Sequence, residues 1–401
     1  MGLTRRLAVA VLMLYAVGQA CGGDGGSPIV PNAITIVSGN NQSGQLGDSL
    51  AVRLKVAVTG SDSRPYVGGR VTWVVTNGSA ALAQGTDTTD AAGESENKLT
   101  IGVTPGDIAI TATVTGVTPA AFTATALDPC DILTDHAVGS VATGTLTGFD
   151  CQFGGPFFTD FYRIVLPAQQ GITVSMSAGA YDTYLEQYHL SGPFIAVNDD
   201  RSATDTNSNI EVIAATGTYV FAASTFRANI TGPYSLTSAA RGEALGGPCP
   251  ADPFLPWITR GVALSEQIDA TNCSTGRPAG GTAFSDRVLI TLAATRGIAA
   301  TLASGVFPPR LELYQVSNVA SPTLVASANG AGSAVLNFTP TTSQIFRLEI
   351  TTQDTAQTGA YTLNVTGPSP VEAAQVMLVG PEAWRAVGDR PHVVRSGKVR
   401  N

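Results

Sequence analysis

Asp160-Phe161-Tyr162-Arg163-Ile164-Val165-Leu166 returns 126 residues later as Asp286-Arg287-Val288-Leu289-Ile290-Thr291-Leu292. Gly171 and Gly297 keep that spacing, as do Leu185 and Leu311, and Tyr188 and Tyr314. Further along, Gly232-Pro233-Tyr234-Ser235-Leu236 is matched by Gly359-Ala360-Tyr361-Thr362-Leu363. Self-similarity at a fixed offset means two copies of one structural unit. Each copy opens on Pro-Cys, Pro129-Cys130 and Pro248-Cys249, and carries a second cysteine, Cys151 and Cys273. The copies occupy residues 128–241 and 248–366, and their apolar runs are short, aromatic and bounded by turns, which reads as strands.

Upstream, residues 33–126 carry the same signal in a different arrangement. Ser49–Val58 and Val71–Val75 alternate apolar and polar residues, as does Asp107–Val114. Between them sit Thr76-Asn77-Gly78, Asp90-Ala91-Ala92-Gly93 and Pro105-Gly106-Asp107, all turn chemistry. Composition agrees. Among 401 residues only 13 % are charged while 44 % are hydrophobic, with 44 Gly and 23 Pro, so disorder is a poor reading. The net charge of −8 argues against nucleic acid as a partner, which would want a basic stripe. The expected fold class is all-β: one sandwich followed by two more, with residues 367–401 a tail.

The first residues read as an address. Arg5 and Arg6 precede an apolar run from Leu7 to Val17, too short to span a bilayer, and small residues lead to Ala20-Cys21. Residues 1–20 are therefore expected to be a signal peptide, and 21–32, with Gly22-Gly23-Asp24-Gly25-Gly26, a flexible tether. Five cysteines leave one odd if four pair. Local pairing at equivalent repeat positions gives Cys130–Cys151 and Cys249–Cys273, and the odd one is Cys21. Gly18-Gln19-Ala20-Cys21 resembles the lipobox of bacterial lipoproteins, although Gly18 and Gln19 depart from its pattern. The resemblance implies an exported protein lipid-anchored through Cys21 at the outer membrane or cell surface; cleavage after Ala20 with plain secretion is the alternative.

Two further resemblances concern the domains. Ser38-Gly39-Asn40-Asn41-Gln42, with Thr89-Asp90-Ala91-Ala92-Gly93 and Thr104-Pro105-Gly106, is similar to bacterial Ig-like domains of the invasin/intimin type. Asp160–Leu166, Asp182–Tyr188, Ile195–Asp200, Gly217–Val220 and Gly232–Leu236 resemble the bacterial pre-peptidase C-terminal domain, a jelly-roll-like sandwich often appended to secreted proteases. The second copy keeps the strands but has Pro308 where the first has Asp182, and lacks an Asn-Asp-Asp turn.

Chemistry is sparse. Gly47-Asp48-Ser49-Leu50 spells the nucleophile block of GDSL esterases, and Asp389-Arg390-Pro391-His392 supplies a D-x-x-H. Yet Ser49 is expected to open a strand rather than lead into a helix, and the block Gly-x-Asn-Asp would need Gly at Ala196. His136 and His189 have no partner at a recognisable spacing, and alternation points His189 outward. Asp182, Asp199 and Asp200, with Asn198 and Asp205, form the one acidic cluster with family support. Oxygen ligands in turns suit calcium, and the competing reading is Asx side chains capping their own turns. No other cofactor is implied. Trp73, Tyr66, Phe157 and Phe158 are aromatic candidates for stacking on a sugar, or are simply packed. The function expected is non-catalytic: a surface lipoprotein for adhesion to, or recognition of, an extracellular polymer or protein. A carbohydrate-binding accessory to a secreted hydrolase is the alternative, and an esterase using Ser49 the third reading.

Overall fold

The computed structural model describes residues 28–190, 194–202, 204–242, 245, 255–276, 281–316 and 322–367. Cys21, Cys249, Asp389 and His392 lie outside the described residues, as do the expected signal peptide and tail. Strands dominate, with a single short 3-10 turn at Pro129–Asp131 and no α-helix among the described residues.

The N-terminal sandwich packs Pro31–Ser38, Leu54–Gly60 and Glu94–Asn97 against a five-stranded sheet. That second sheet runs Gln42–Gly44, Ala120–Ala126, Gly106–Thr113, Arg70–Asn77 and Thr86–Thr88. Alternation puts Leu54, Val56 and Val58 on the inner face, where they meet Val71, Trp73, Ile110 and Phe122. The strand expected from Ser49 begins instead at Leu54; Ser49 makes an isolated bridge to Thr100. The reason is local. The Gln42 amide takes the place of a neighbouring strand, donating to Val52 O (2.7 Å) and accepting from Val52 N (2.9 Å). Trp73 and Phe158 are buried, so neither is free to stack on a sugar. Gly47, at φ +80°, sits so close to the Phe149 ring of the next unit that a Cβ would lie 2.9 Å from it.

In the first repeat one sheet runs Leu133–Asp135, Phe158–Leu166, Gly217–Thr225, Thr183–His189 and Phe194–Asn198. Facing it are Val141–Leu146, Gly232–Arg241, Gln170–Ser177 and Ser208–Ala214. The second repeat follows the same plan. Val262–Ile268, Gly359–Thr366, Ile298–Ala303 and Ser333–Phe338 form one sheet, and Thr282–Leu292, Gln344–Thr352, Pro309–Gln315 and Thr323–Asn329 belong to the other.

The repeats are not separate beads. Trp257–Ile258 pairs in parallel with Val212–Ile213 of the first repeat and, through Trp257, with Leu289 of the second. This two-residue strand closes a ten-stranded sheet that runs through both units. The side chains interlock as well: Trp257 and Leu289 are buried in the first repeat's core, and Ile213 in the second's. The Gln169 side chain adds a bridge at the edge, donating to Ala263 O (2.8 Å) and accepting from Ala263 N (2.9 Å). Burial of this many apolar groups across one seam makes independent motion of the two repeats costly.

Candidate functional site

The motif that defines the repeat is a pair of strands joined by a buried hydrogen bond. Asp160 is the third residue of the strand Phe158–Leu166, and Tyr234 lies in the closing strand of the opposite sheet. The Tyr234 hydroxyl donates to Asp160 Oδ2 (2.5 Å) and lies 2.7 Å from the Tyr162 hydroxyl. In the second repeat Tyr361 donates to Asp286 Oδ2 (2.7 Å), and Asn272 Nδ2 donates to Asp286 Oδ1 (2.5 Å). Burial raises both carboxyls, Asp160 to about 6 and Asp286 to about 7. Asp150 adds to the rise at Asp160, and Glu266 and Asp269 at Asp286; the tyrosine hydrogen bonds work the other way. Sequence reading found both strands of each pair but not their bond.

The second repeat also buries charge. Glu349 is fully enclosed, with Arg287 Nε and Arg347 Nη2 each 3.4 Å from its Oε2. The Arg347 guanidinium stacks 4.6 Å from the centroid of Tyr314, whose hydroxyl donates to Glu312 Oε2 (2.9 Å). These charges answer one another, which is what allows them to be buried.

Ser49, the hydroxyl of the disfavoured esterase reading, and the acidic cluster are placed as follows. Ser49 Oγ lies 3.0 Å from Thr100 Oγ1, in a hydroxyl pair that ties two segments of the N-terminal sandwich. Asp182, Asp199 and Asp200 are not gathered into a metal-ligand group: among the described residues no three His, Cys, Asp or Glu side chains are placed to hold an ion. Asp199 O accepts from Ser208 Oγ (3.4 Å), and Asn198 Oδ1 accepts from Asn209 N (2.7 Å). Asp205 accepts from Asn207 N (3.0 Å) and pairs with Arg201 (3.3 Å), and the bonds from Asn207 lower its pKa. Cys130 and Cys151 are joined by a disulfide with Cα atoms 4.6 Å apart. Cys273 is disulfide-bonded too.

The outward placement expected of His189 is corrected: it pairs with Tyr219 at the end of its strand, on the inner face that also carries Ile164 and Leu185. Its ring meets Tyr219 edge-on (5.4 Å), burial lowers its pKa, and it lines a cavity of about 380 Å³ at the seam. Phe194, Ile195 and Tyr219 line the cavity from the first repeat, and Ile258, Arg260 and Ile290 from the second. Among the hydrogen bonds that cross here, Thr291 Oγ1 donates to Ile195 O (2.6 Å), Ala215 N to Thr259 Oγ1 (2.9 Å) and Thr259 N to Ile213 O (3.1 Å). No sequence signal marked this place, because its walls come from two repeats.

No family model matches the chain, and no curated protein does either. Among solved structures it is similar to the pre-peptidase C-terminal domain of collagenase from Bacillus anthracis, at 18 % identity and a TM-score of 0.23, over 27 % of this chain and 95 % of that one. The D0-D1 domain of intimin is similar at 14 % identity and a TM-score of 0.20, over 52 % of this chain and 98 % of that one. A Bacteroides ovatus protein, SGBP-B of a mixed-linkage glucan utilization locus, was solved with a mixed-linkage heptasaccharide. It is similar at 10 % identity and a TM-score of 0.16, over 83 % of this chain and 74 % of that one. At these scores the similarity says nothing about what this chain binds.

Proposed function

We propose that the protein is a non-catalytic recognition module of the cell exterior, anchored through Cys21 and binding an extracellular polymer or protein through its two fused repeats. The observation that supports this reading best is the ten-stranded sheet closed by Trp257–Ile258. A ligand longer than one sandwich gains from two units only when their spacing is fixed, because each free module must otherwise be aligned at an entropic cost. The N-terminal sandwich then serves as a stalk, packed on the first repeat where Phe149 meets Gly47. Ser49 fits this reading as a structural hydroxyl paired with Thr100.

The full exported chain is tested on a glycan array and on a panel of matrix proteins. Selective retention of one polymer or protein supports recognition, and retention on glycans alone favours the accessory reading. Ester hydrolysis that disappears in Ser49→Ala would replace both with an enzyme. Cys21→Ser is expected to release the protein from the membrane fraction; a protein equally retained without Cys21 would end the lipid-anchor assignment.

A further inference from the structure

We infer that the seam cavity is a binding site for a small organic carboxylate with an apolar body, anchored by Arg260. Arg260 lines the cavity from the segment that follows the bridging strand. Its Nη2 donates to Arg296 O (3.0 Å), and its buried Nε has no hydrogen-bond partner. Elsewhere the partly buried arginines sit beside carboxylates, Arg241 with Glu211 and Arg287 and Arg347 with Glu349. Among the described residues no carboxylate lies within 4 Å of Arg260 or of Arg296. Among the described residues, two guanidinium-bearing residues thus come together with no carboxylate beside them. Burial and the charge of Arg296 both act against the charged form of Arg260, although a guanidinium stays protonated. An anion from outside relieves that cost.

The rest of the cavity sets the ligand's other end. Its walls are Phe194, Ile195, Ile258, Ile290 and the Tyr219 ring. The polar groups of the wall are already used: Tyr219 Oη donates to Ala215 O (2.8 Å), and Thr291 Oγ1 to Ile195 O. Burial holds His189 neutral near pH 7, so it adds no second charge. A volume of about 380 Å³ is in the range that takes one small molecule, and inter-domain seams are common places for such sites. One charge-assisted contact and an apolar remainder select a monocarboxylate over a polyanion.

Benzoate is the probe, with benzyl alcohol as the neutral body and acetate as the anion without a body. Binding to the full chain is followed by calorimetry and by the methyl resonances of Ile195, Ile258 and Ile290. Benzoate is expected to bind at least about tenfold more tightly than either control and to shift those methyl signals. Arg260→Gln is expected to weaken benzoate by about tenfold or more, while Arg64→Gln, an exposed arginine on the N-terminal sandwich, leaves it unchanged. Should Arg260→Gln fail to fold, the three probes on the unaltered chain decide the matter. Benzoate that binds no better than benzyl alcohol, binds without moving those methyls, or does not bind at all overturns the assignment. The polymer assays are untouched by this result, so the two readings fail separately.

Discussion

Tyr234 gives its hydroxyl hydrogen to Asp160 across the two sheets of the first repeat, 74 residues away in sequence. Tyr361 repeats the bond to Asp286 in the second. A carboxyl buried in this way holds its proton well above the ordinary carboxylate range, because burial has removed the water that would solvate its charge.

The consequence is a stability that falls as pH rises. In the unfolded chain these carboxyls titrate near 3.9, whereas folded they titrate at about 6 for Asp160 and about 7 for Asp286. Between those values the folded state binds more protons than the unfolded one. The contribution is therefore complete below about pH 4 and is lost progressively up to about pH 6 and about pH 7, by at most about 1.4 kcal/mol per pH unit per group. Asp160→Asn and Asp286→Asn keep a hydrogen-bond acceptor and are expected to flatten this slope. Urea unfolding from pH 4 to 8 measures it.

Trp257→Ala empties a buried site shared by both repeats and is expected to cost about 3–5 kcal/mol. Calorimetry of the full chain is expected to show the two repeats melting together, and their transitions separating in the variant. If the seam were ornamental, the transition would keep its shape and only shift.

Removing the Cys130–Cys151 disulfide, which spans 21 residues, is expected to destabilise the first repeat by about 3 kcal/mol in the chain-entropy account. Thermal unfolding of the double Cys→Ala variant against the unaltered chain, both oxidised, checks this. Because the repeats share one sheet, the loss is expected to appear in their common transition.

Gly47→Ala places a Cβ against the Phe149 ring and forces a left-handed φ on a side-chain residue. The strain alone is expected to cost about 1–2 kcal/mol. Adding Phe149→Ala should recover the part that comes from the ring contact and none of the backbone part. Denaturation of the two single variants and the double variant separates the contributions.

Much of the molecule was legible before folding. The alternation of Leu54–Gly60 and Gly106–Thr113 is local, and burial every second residue follows from it directly. Gly47-Asp48-Ser49-Leu50 shows the opposite case. Four letters suggested a nucleophile, and the environment made Ser49 the partner of Thr100, 51 residues away. Alternation placed His189 on an outward face, whereas the pairing of Thr183–His189 with Gly217–Thr225 sets it opposite Tyr219 on the inner one, which no local pattern decides.

By itself, then, the sequence determined that this is a strand protein, that one unit occurs twice, and which cysteines sit at equivalent positions, because periodicity and spacing are properties of the chain. Tertiary structure alone decided that the two units are one body. A two-residue strand such as Trp257–Ile258 has no periodicity to read, and its stability comes from two sheets that must already exist on either side of it. The same holds for the cavity around Arg260: its walls belong to different repeats, so it exists only once the two have packed against each other.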